Sequence, residues 1–161
     1  MGIRKRKIQS NFLKIGEAFQ WLSVGFTEAN ESPSAQTSSK RYIHQASSTQ
    51  AITGYEWSSS FTADQIENDK VVEYIRNIGE MLLTGSDAET EYLIVDMDQH
   101  ATGDGFRARK FKVAIQVDEF ADEDGELTMS GSFLGQGDPI IGTVTITSGV
   151  ATFTDGFTPK E

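Results

Sequence analysis

The sequence offers few side chains that could carry out covalent or acid–base catalysis. Cysteine is absent, and the two histidines are His44 and His100. The lack of cysteine excludes thiol nucleophiles, disulfides and cysteine-ligated metal centres. Serine and aspartate are plentiful, but no G-x-S-x-G nucleophile elbow occurs, and both histidines fall in predicted loops. Because a solvated loop histidine is far more common than a catalytic one, the sequence predicts no catalytic residue and no enzyme.

A glycine-rich stretch at 103–108 matches the relaxed dinucleotide pattern G-x-G-x-x-A. That pattern binds a pyrophosphate only where it opens a helix, whose N-terminal N–H groups hold the anion. Here the residues that follow alternate between polar and apolar from Lys110 to Val117, which is typical of a strand. We therefore interpret the stretch as an ordinary loop and predict no cofactor.

An acidic run raises the question of calcium. Six acids lie within nine residues: Asp118, Glu119, Asp122, Glu123, Asp124 and Glu126. In EF-hand register, ligand positions 1 and 12 would be Phe120 and Gly131, neither of which offers a side-chain oxygen, so the motif fails. The more common interpretation is a solvated hairpin tip that keeps a sheet edge soluble. A looser metal site stays open here, as does a weaker one at Asp96-x-Asp98-x-His100.

Hydrophobic periodicity predicts a β-rich domain around these residues. Leu22, Val24 and Phe26 alternate with small polar residues, and residues 53–61 place aromatic side chains on one face, so both segments are predicted strands. Further strands are predicted at 90–98, 106–120, 126–134, 140–147 and 150–154. Asp124-Gly125 is a strong turn signal between two of them.

One helix is predicted between the second and third of these strands. Val71, Ile75, Ile78 and Leu82 recur at helical spacing. The helix has two candidate starts, a capping box at Thr62-x-x-Gln65 and a cap at Asn68-Asp69, and Gly85 is the expected stop, giving about four turns. The fold class predicted for residues 1–161 is one mainly β domain, a β-sandwich or split barrel of two packed antiparallel sheets with one flanking helix.

Two segments stand apart from this core. Residues 28–52 are rich in Ser, Thr, Gln and Ala and are predicted to form a long inter-strand loop, either disordered or ordered by a neighbouring molecule. Residues 1–11 are predicted to be an irregular arm that carries Arg4, Lys5, Arg6 and Lys7. The arm could contact phosphate or an acidic partner, or be a mobile, solvated terminus.

The distribution of charge argues against a nucleic-acid-binding body. The formal net charge is −10, so the chain without these four basic residues carries −14. Binding to DNA needs a basic surface that releases counterions from phosphate. No run of about 18 apolar residues occurs, so no membrane span is predicted.

Three stretches of the sequence resemble the major tail tube proteins of long-tailed bacteriophages. They are EWSSSFTADQIENDKVVEYIRNIGE (56–80), RARKFKVAIQVDEFADEDGELTMSGSFLGQGDPIIGTV (107–144) and VATFTDGF (150–157), in the order usual for that family. The helix length, the acidic hairpin and the glycine-rich ending of the second stretch carry most of the likeness. It is a likeness of pattern and order, and it spans nearly half of the chain.

The resemblance implies a structural virion protein made in the cytoplasm of a host bacterium. In that family six copies form a ring, the inner sheets join into one β-barrel, and rings stack head-to-tail into a tube that conducts the genome. The lumen is typically acidic, and double-stranded DNA passes without specific binding. The implied partners are a tape-measure protein, a tail terminator, and distal tail or baseplate proteins.

The resemblance also suggests roles for the two unusual segments. A long loop between early strands reaches the next ring, which would give that role to Ser34, Lys40, Arg41, Tyr42, Ile43, His44 and Gln45. Termini make further ring-to-ring contacts, which would involve the arm. The acidic hairpin (Asp118, Glu119, Asp122, Glu123 and Asp124) would lie at a rim or in the lumen.

Two alternatives remain at this point. The first, within the same superfamily, is the inner tube of a contractile tail or bacteriocin-like particle. The second is a monomeric β-sandwich module that binds carbohydrate or calcium, an alternative supported by Tyr55, Trp57 and the acidic hairpin. Aromatic residues at strand spacing are more often part of a core than of a binding site.

Overall fold

A computed structural model describes residues 2–161 and contains eleven strands and one helix within that range. The strands are β1 (Gln9–Ile15), β2 (Ala18–Trp21), β3 (Phe26–Ser32), β4 (Ala35–Lys40), β5 (Thr49–Tyr55), β6 (Ser58–Asp64), β7 (Glu89–His100), β8 (Phe106–Glu123), β9 (Glu126–Gly135), β10 (Ile140–Thr147) and β11 (Val150–Asp155). The helix is α1 (Lys70–Glu80), and short 3-10 turns lie at Arg6–Ile8 and Gly85–Ala88.

Nine strands form one antiparallel sheet in the order β10-β11-β2-β1-β7-β8-β9-β6-β3. The sheet closes on itself because the first part of β8 also pairs with β10, from Phe106↔Val144 to Lys110↔Ile140. Strands β10, β11, β2, β1, β7 and β8 therefore make a small barrel. The remainder of β8 continues into a four-stranded sheet with β9, β6 and β3.

Two cores lie on opposite faces of the shared strands. Along β7, Tyr92 and Ile94 point into a core beneath α1, whereas Leu93 and Val95 point into the barrel. Alternation along a strand sends successive side chains to opposite faces, so a strand that is buried on both sides is apolar throughout. This explains the unbroken apolar run in the middle of β7.

The helix covers one face of the four-stranded sheet. Asp69 caps it by accepting hydrogen bonds from the backbone N–H groups of Val71 and Val72, both at 3.0 Å. Its buried side chains are Val71, Val72, Ile75 and Ile78. Gly79 lets the helix approach β8 closely, since an added Cβ would lie 2.7 Å from the ring of Phe120.

The predicted fold class is confirmed, and so are most of the later strands. The Asp124-Gly125 turn has positive φ at both residues, as a two-residue hairpin of type I′ requires. The two packed sheets of the prediction are parts of one continuous sheet that curls into the barrel. The predicted helix cap at Asp69 is confirmed.

Several local predictions are wrong, among them the single strand at 53–61, which is interrupted because β5 ends at Tyr55 and β6 begins at Ser58. Thr62 caps no helix, because it lies within β6 and pairs with Ser130 of β9. The helix consequently has 11 residues, about three turns, and ends at Glu80 before the expected stop. The predicted strand around Leu22–Phe26 is a turn, since Gly25 has a φ of +87° and Val24 is exposed.

The segment predicted as a long inter-strand loop, residues 28–52, is mostly extended. Residues 28–32 belong to β3, and β4 pairs with β5 to make a separate two-stranded hairpin. Nearly every residue of this hairpin is exposed. An isolated two-stranded hairpin is marginally stable in water, so the pairing of β4 with β5 alone contributes little stability to the domain.

Candidate assembly surface

The four-stranded sheet has two unpaired edges. Within residues 2–161, β3 pairs with β6 alone at one side. At the other side, β7 pairs with β8 as far as Ala114, and in the same described range the following residues of β8, 115–123, pair only with β9. An open edge presents unsatisfied backbone N–H and C=O groups to another strand. The two edges are similar in length, seven residues in β3 and nine in β8.

The alternation of hydrogen bonds along β6 identifies which backbone N–H and C=O groups of β3 point outward. The Gly135 N–H donates to the Trp57 carbonyl, 2.9 Å, so Ser59 and Phe61 in turn bond to β9. Their partners on β3, Glu31 and Ala29, consequently direct their backbone N–H and C=O groups away from β6. These groups are free to pair with an added strand.

The face of this sheet opposite to α1 carries mostly small polar side chains, together with Leu134, which pairs with Ser58 and is 39% exposed. One row across the four strands reads Asn30, Ser60, Ser132 and Gln116. The neighbouring positions on the same face are Ser32, Ser58, Thr62 and Ser130. All of these side chains are exposed or half-buried, and we call this surface the hydroxyl face. The side chains that alternate with them, Phe61 and Phe133 among them, are buried under the helix.

The β4–β5 hairpin carries most of the residues predicted for contacts between rings. Lys40 ends β4, and the tip that follows holds Tyr42 and Ile43, which are 50% and 108% exposed. Gln45 stabilises the tip, since its side-chain oxygen accepts from the Tyr42 N–H at 3.1 Å. Ser34 lies at the root of the hairpin, where its carbonyl accepts from the Glu56 N–H. Arg41 and His44 are exposed in the tip.

A charged and aromatic cluster fixes the root of this hairpin. Arg109 donates two hydrogen bonds to Glu31, at 2.7 and 3.1 Å, and the Trp57 indole N–H donates to the same carboxylate at 2.7 Å. Trp57 stacks on Phe111 with ring centroids 3.9 Å apart. Burial tends to raise the pKa of Glu31, but the hydrogen bonds from Arg109 and Trp57 outweigh it and hold that pKa below its ordinary value.

The basic N-terminal segment is partly bound to its own domain. Arg4 contacts Asp96 and Asp98 of β7, at 3.1 and 3.2 Å, and Arg6 donates to the carbonyl of Gln9 at 2.6 Å. Asp96 is almost fully buried and also bonds to Arg107 at 2.8 Å. The predicted arm of residues 1–11 is therefore shorter, because β1 begins at Gln9; Met1 lies outside the described residues. Lys5 and Lys7 are exposed.

Asp96 is held ionised by this arrangement. Burial tends to raise its pKa, but hydrogen bonds from Gln9, Arg4 and Arg107 together lower it. The carboxylates of Asp96 and Asp98, a candidate metal pair in the sequence, thus face arginines. Among residues 2–161, no three histidine, aspartate or glutamate side chains converge as metal ligands would.

The acidic hairpin forms the far end of β8 and β9. Asp118, Glu119, Asp122, Glu123 and Asp124 are all exposed there. Asp122 accepts a hydrogen bond from the Gly125 N–H at 2.9 Å, which fixes the turn. The two edges, the hydroxyl face and this hairpin thus belong to one sheet.

The remaining candidates from the sequence have structural roles or lie apart. The glycine-rich stretch at 103–108 forms a turn and the start of β8 and opens no helix. His100 ends β7, next to the ring of Phe106, and lies in another part of the chain from the His44 tip. In the part of the chain that the structure describes, no helix has the length and apolar character to cross a membrane.

Comparison with solved structures shows that the fold is shared with chains of gene transfer agent particles. One match is a chain in the virion of a native gene transfer agent particle, with a TM-score of 0.61 and 14% identity over 86% of this chain and 98% of the other. Another is a chain in the tail of an empty gene transfer agent particle, determined with helical refinement and C6 symmetry, with a TM-score of 0.62 and 14% identity over 91% and 100%. No protein-family model and no curated protein matches the sequence.

The sequence analysis missed the two free edges and the hydroxyl face. A signal for the face is present, since serine alternates with buried residues in both β6 and β9. The edges carry no such signal, because they depend on which strands pair.

Proposed function

We propose that this protein is a structural subunit of the tail tube of a phage-like particle, in which copies join laterally into rings and the rings stack. The observation that carries the proposal is the four-stranded sheet, whose two open edges are similar in length. The shared fold with a chain from a C6-symmetric tail supports it. The subunit is a building block without catalysis, and its location is the virion tail.

Ring closure follows from the direction of the strands. Each neighbouring pair in the order β8-β9-β6-β3 is antiparallel, so β3 and β8 run in opposite directions. Copies related by rotation about one axis keep these directions, and β3 of one copy therefore meets β8 of the next as an antiparallel pair. Four strands from each of six copies give a closed barrel of twenty-four strands. Closure removes both open edges.

In such a ring the hydroxyl face lines the lumen, because α1 covers the opposite face. Serine, threonine and asparagine side chains offer DNA no cationic charge, and the affinity of a protein for DNA grows with the number of phosphates that its cations neutralise. The lumen proposed here is therefore rich in neutral hydroxyl groups, with Glu28 and Glu119 as acidic members of the same face. DNA passes along it without specific binding.

The β4–β5 hairpin is the element that we assign to contacts between rings. It projects from the domain with its Tyr42–Ile43 tip exposed. An isolated hairpin is only marginally stable, so contact with a subunit of the next ring would stabilise it. Head-to-tail stacking is a heterologous assembly that propagates as a filament. Its length and ends then require other proteins, in the roles of tape measure, terminator, and distal tail or baseplate component.

A disulfide between neighbouring copies tests the ring. The chain has no cysteine, so Asn30→Cys on β3 can be combined with Gln116→Cys or with Glu119→Cys on β8, which covers two registers. Within one copy these positions are separated by β6 and β9, about 14 Å at 4.8 Å per strand spacing. A disulfide needs Cα atoms within about 7 Å, so only a neighbouring copy can supply the partner.

We expect mild oxidation of assembled protein to give a ladder of covalent species up to a closed ring on a denaturing gel. The matched control is Asn30→Cys with Thr145→Cys, whose second cysteine is exposed on β10 of the barrel. Assembled protein in which both test pairs crosslink no better than this control would contradict the edge pairing. A wild-type protein that forms no ring under any assembly condition would contradict the tail-tube function.

A further inference from the structure

A cleft of about 520 Å³ runs beside the free edge of β3. The N-terminal segment contributes Arg6 and Lys7 to one wall, and residues from both faces of β3 form the other. Trp21, which also lines the cleft, is 48% exposed, an unusual state for so large an apolar side chain. The cleft thus combines basic side chains with an exposed aromatic ring.

The basic side chains of this cleft have few acidic partners in their own domain. Arg6 bonds to the neutral oxygens of Gln9 and Asn11. Among residues 2–161, Lys7 forms no ion pair, and neither does Lys5, which precedes the cleft residues in the same segment. Glu28 is the acid that lines the cleft, and it accepts hydrogen bonds from Asn30 and Thr62. The cleft is therefore positive in a protein whose net charge is −10.

The acidic hairpin has the complementary character. Its tip carries Asp122, Glu123, Asp124 and Glu126, all exposed. The same end of the sheet exposes two apolar side chains, Phe120 at 40% and Leu127 at 60%. A segment that is acidic and apolar matches a cleft that is basic and aromatic.

The strand directions of the proposed ring bring these two surfaces together. When β3 pairs antiparallel with β8 of the next copy, the carboxyl end of β8 lies beside Phe26, at the amino end of β3. In the register that places Asn30 opposite Gln116, Phe26 lies opposite Phe120, so the last three residues of β8 extend past Phe26 by about 10 Å at 3.4 Å per residue. Phe26 lines the cleft together with Trp21 and the N-terminal residues Arg6 and Lys7, so the hairpin tip reaches the cleft.

We infer that the cleft between the N-terminal segment and β3 is the docking site for the acidic β8–β9 hairpin of the laterally adjacent copy. This inference rests on the proposed function and adds the electrostatic contact that selects the neighbour. It gives the basic segment an acidic protein partner, and it assigns the acidic hairpin to the seam between subunits.

Charge reversal on each side tests the contact without touching either core. The hairpin variant is Glu123→Lys with Glu126→Lys, a directly opposed pair that leaves the turn residues intact. The cleft variant is Lys7→Glu, which changes a cleft residue, with Lys5→Glu in the same segment; both side chains are exposed. A control with the same change in net charge as the hairpin variant is Glu17→Lys with Asp155→Lys, which are exposed elsewhere.

We expect each variant alone to need about a tenfold higher concentration than wild type to form rings, because like charges then meet at every seam. An equimolar mixture should assemble close to the wild-type concentration, since every seam of an alternating ring joins opposite charges. Thermal unfolding of each variant should match that of wild type. The readout is the ring fraction by light scattering and electron microscopy.

Two results would overturn the inference while leaving the tail-tube function intact. One is a hairpin variant that assembles as well as the control, and the other is a mixture that fails to recover assembly. If wild-type protein forms no rings at all, the proposed function fails instead.

Discussion

Replacing Arg109 by methionine removes the cation that holds Glu31 at the root of the β4–β5 hairpin. The two side chains are 23% and 24% exposed, so the pair lies between a surface ion pair and a fully buried one. Removal of one partner costs at most about 1 kcal/mol at a surface and about 3–5 kcal/mol in a core. We therefore expect Arg109→Met to lower the free energy of unfolding by about 2–3 kcal/mol, a fall in Tm of roughly 5–10 °C.

A double-mutant cycle separates this pairing from the loss of packing against Phe111. With Glu31→Gln as the second change, the double variant should be more stable than the sum of the single effects predicts, with a coupling of about 1–2 kcal/mol. Urea denaturation followed by tryptophan fluorescence measures it, because Trp57 contacts both Glu31 and Phe111.

The matched control for this cycle is Arg76→Met, which removes an ion pair to Glu80 on the helix surface, where the side chains are 34% and 56% exposed. That change should cost less than about 0.5 kcal/mol. The reasoning is refuted if Arg109→Met costs no more than the control, or if the coupling is indistinguishable from zero.

Three further predictions concern acid stability, the core and the hairpin. The pKa values of Glu31 and Asp96 are lower in the folded protein than their unfolded values of 4.5 and 3.8. The stability that these carboxylates contribute is therefore present above the unfolded pKa values and is lost as pH falls through the folded ones. The free energy of unfolding should fall between about pH 5 and 3, and it should fall less steeply in the Glu31→Gln variant. Phe133→Ala removes a fully buried ring whose centroid lies 4.7 Å from that of Tyr92 and 4.8 Å from that of Phe61, and it should lower the free energy of unfolding in denaturant by about 3–5 kcal/mol. Leu134→Ala on the exposed face should lower it by less than about 1 kcal/mol. Equal losses would contradict the assigned faces. Replacing residues 35–55 by two glycines should leave a subunit that still folds, as shown by cooperative unfolding, and still forms rings. Those rings should no longer stack when they are viewed by electron microscopy. Tubes of normal length would contradict the role of the hairpin.

Local signals predicted the parts of the fold that depend on neighbouring residues. The Asp124-Gly125 turn and the cap at Asp69 were predicted correctly because a positive φ or an N-cap is a property of a few adjacent residues. The strand predicted near Val24 was wrong, because the alternating pattern there is interrupted by Gly25, whose positive φ turns the chain. The capping box at Thr62 failed because a distant strand, β9, pairs with that segment and overrides its helical signal.

The candidate site depends on contacts that no local pattern reports. Arg4 and Asp96 are 92 residues apart in the chain, and Arg109 and Glu31 are 78 apart. The basic segment therefore seemed free in the sequence although Arg4 and Arg6 are bound within the domain. Free edges are likewise a property of the complete strand order. The composition of residues 28–52 predicted a loop and concealed the β4–β5 hairpin, because β-pairing tolerates serine, threonine and glutamine when a partner strand is present.

The most direct test of the central claim is negative-stain electron microscopy of the purified wild-type protein across a concentration series. The tail-tube account predicts hollow rings or tubes of uniform diameter that become more numerous as concentration rises. Small globular monomers at every concentration, with no ring in any field, would contradict it.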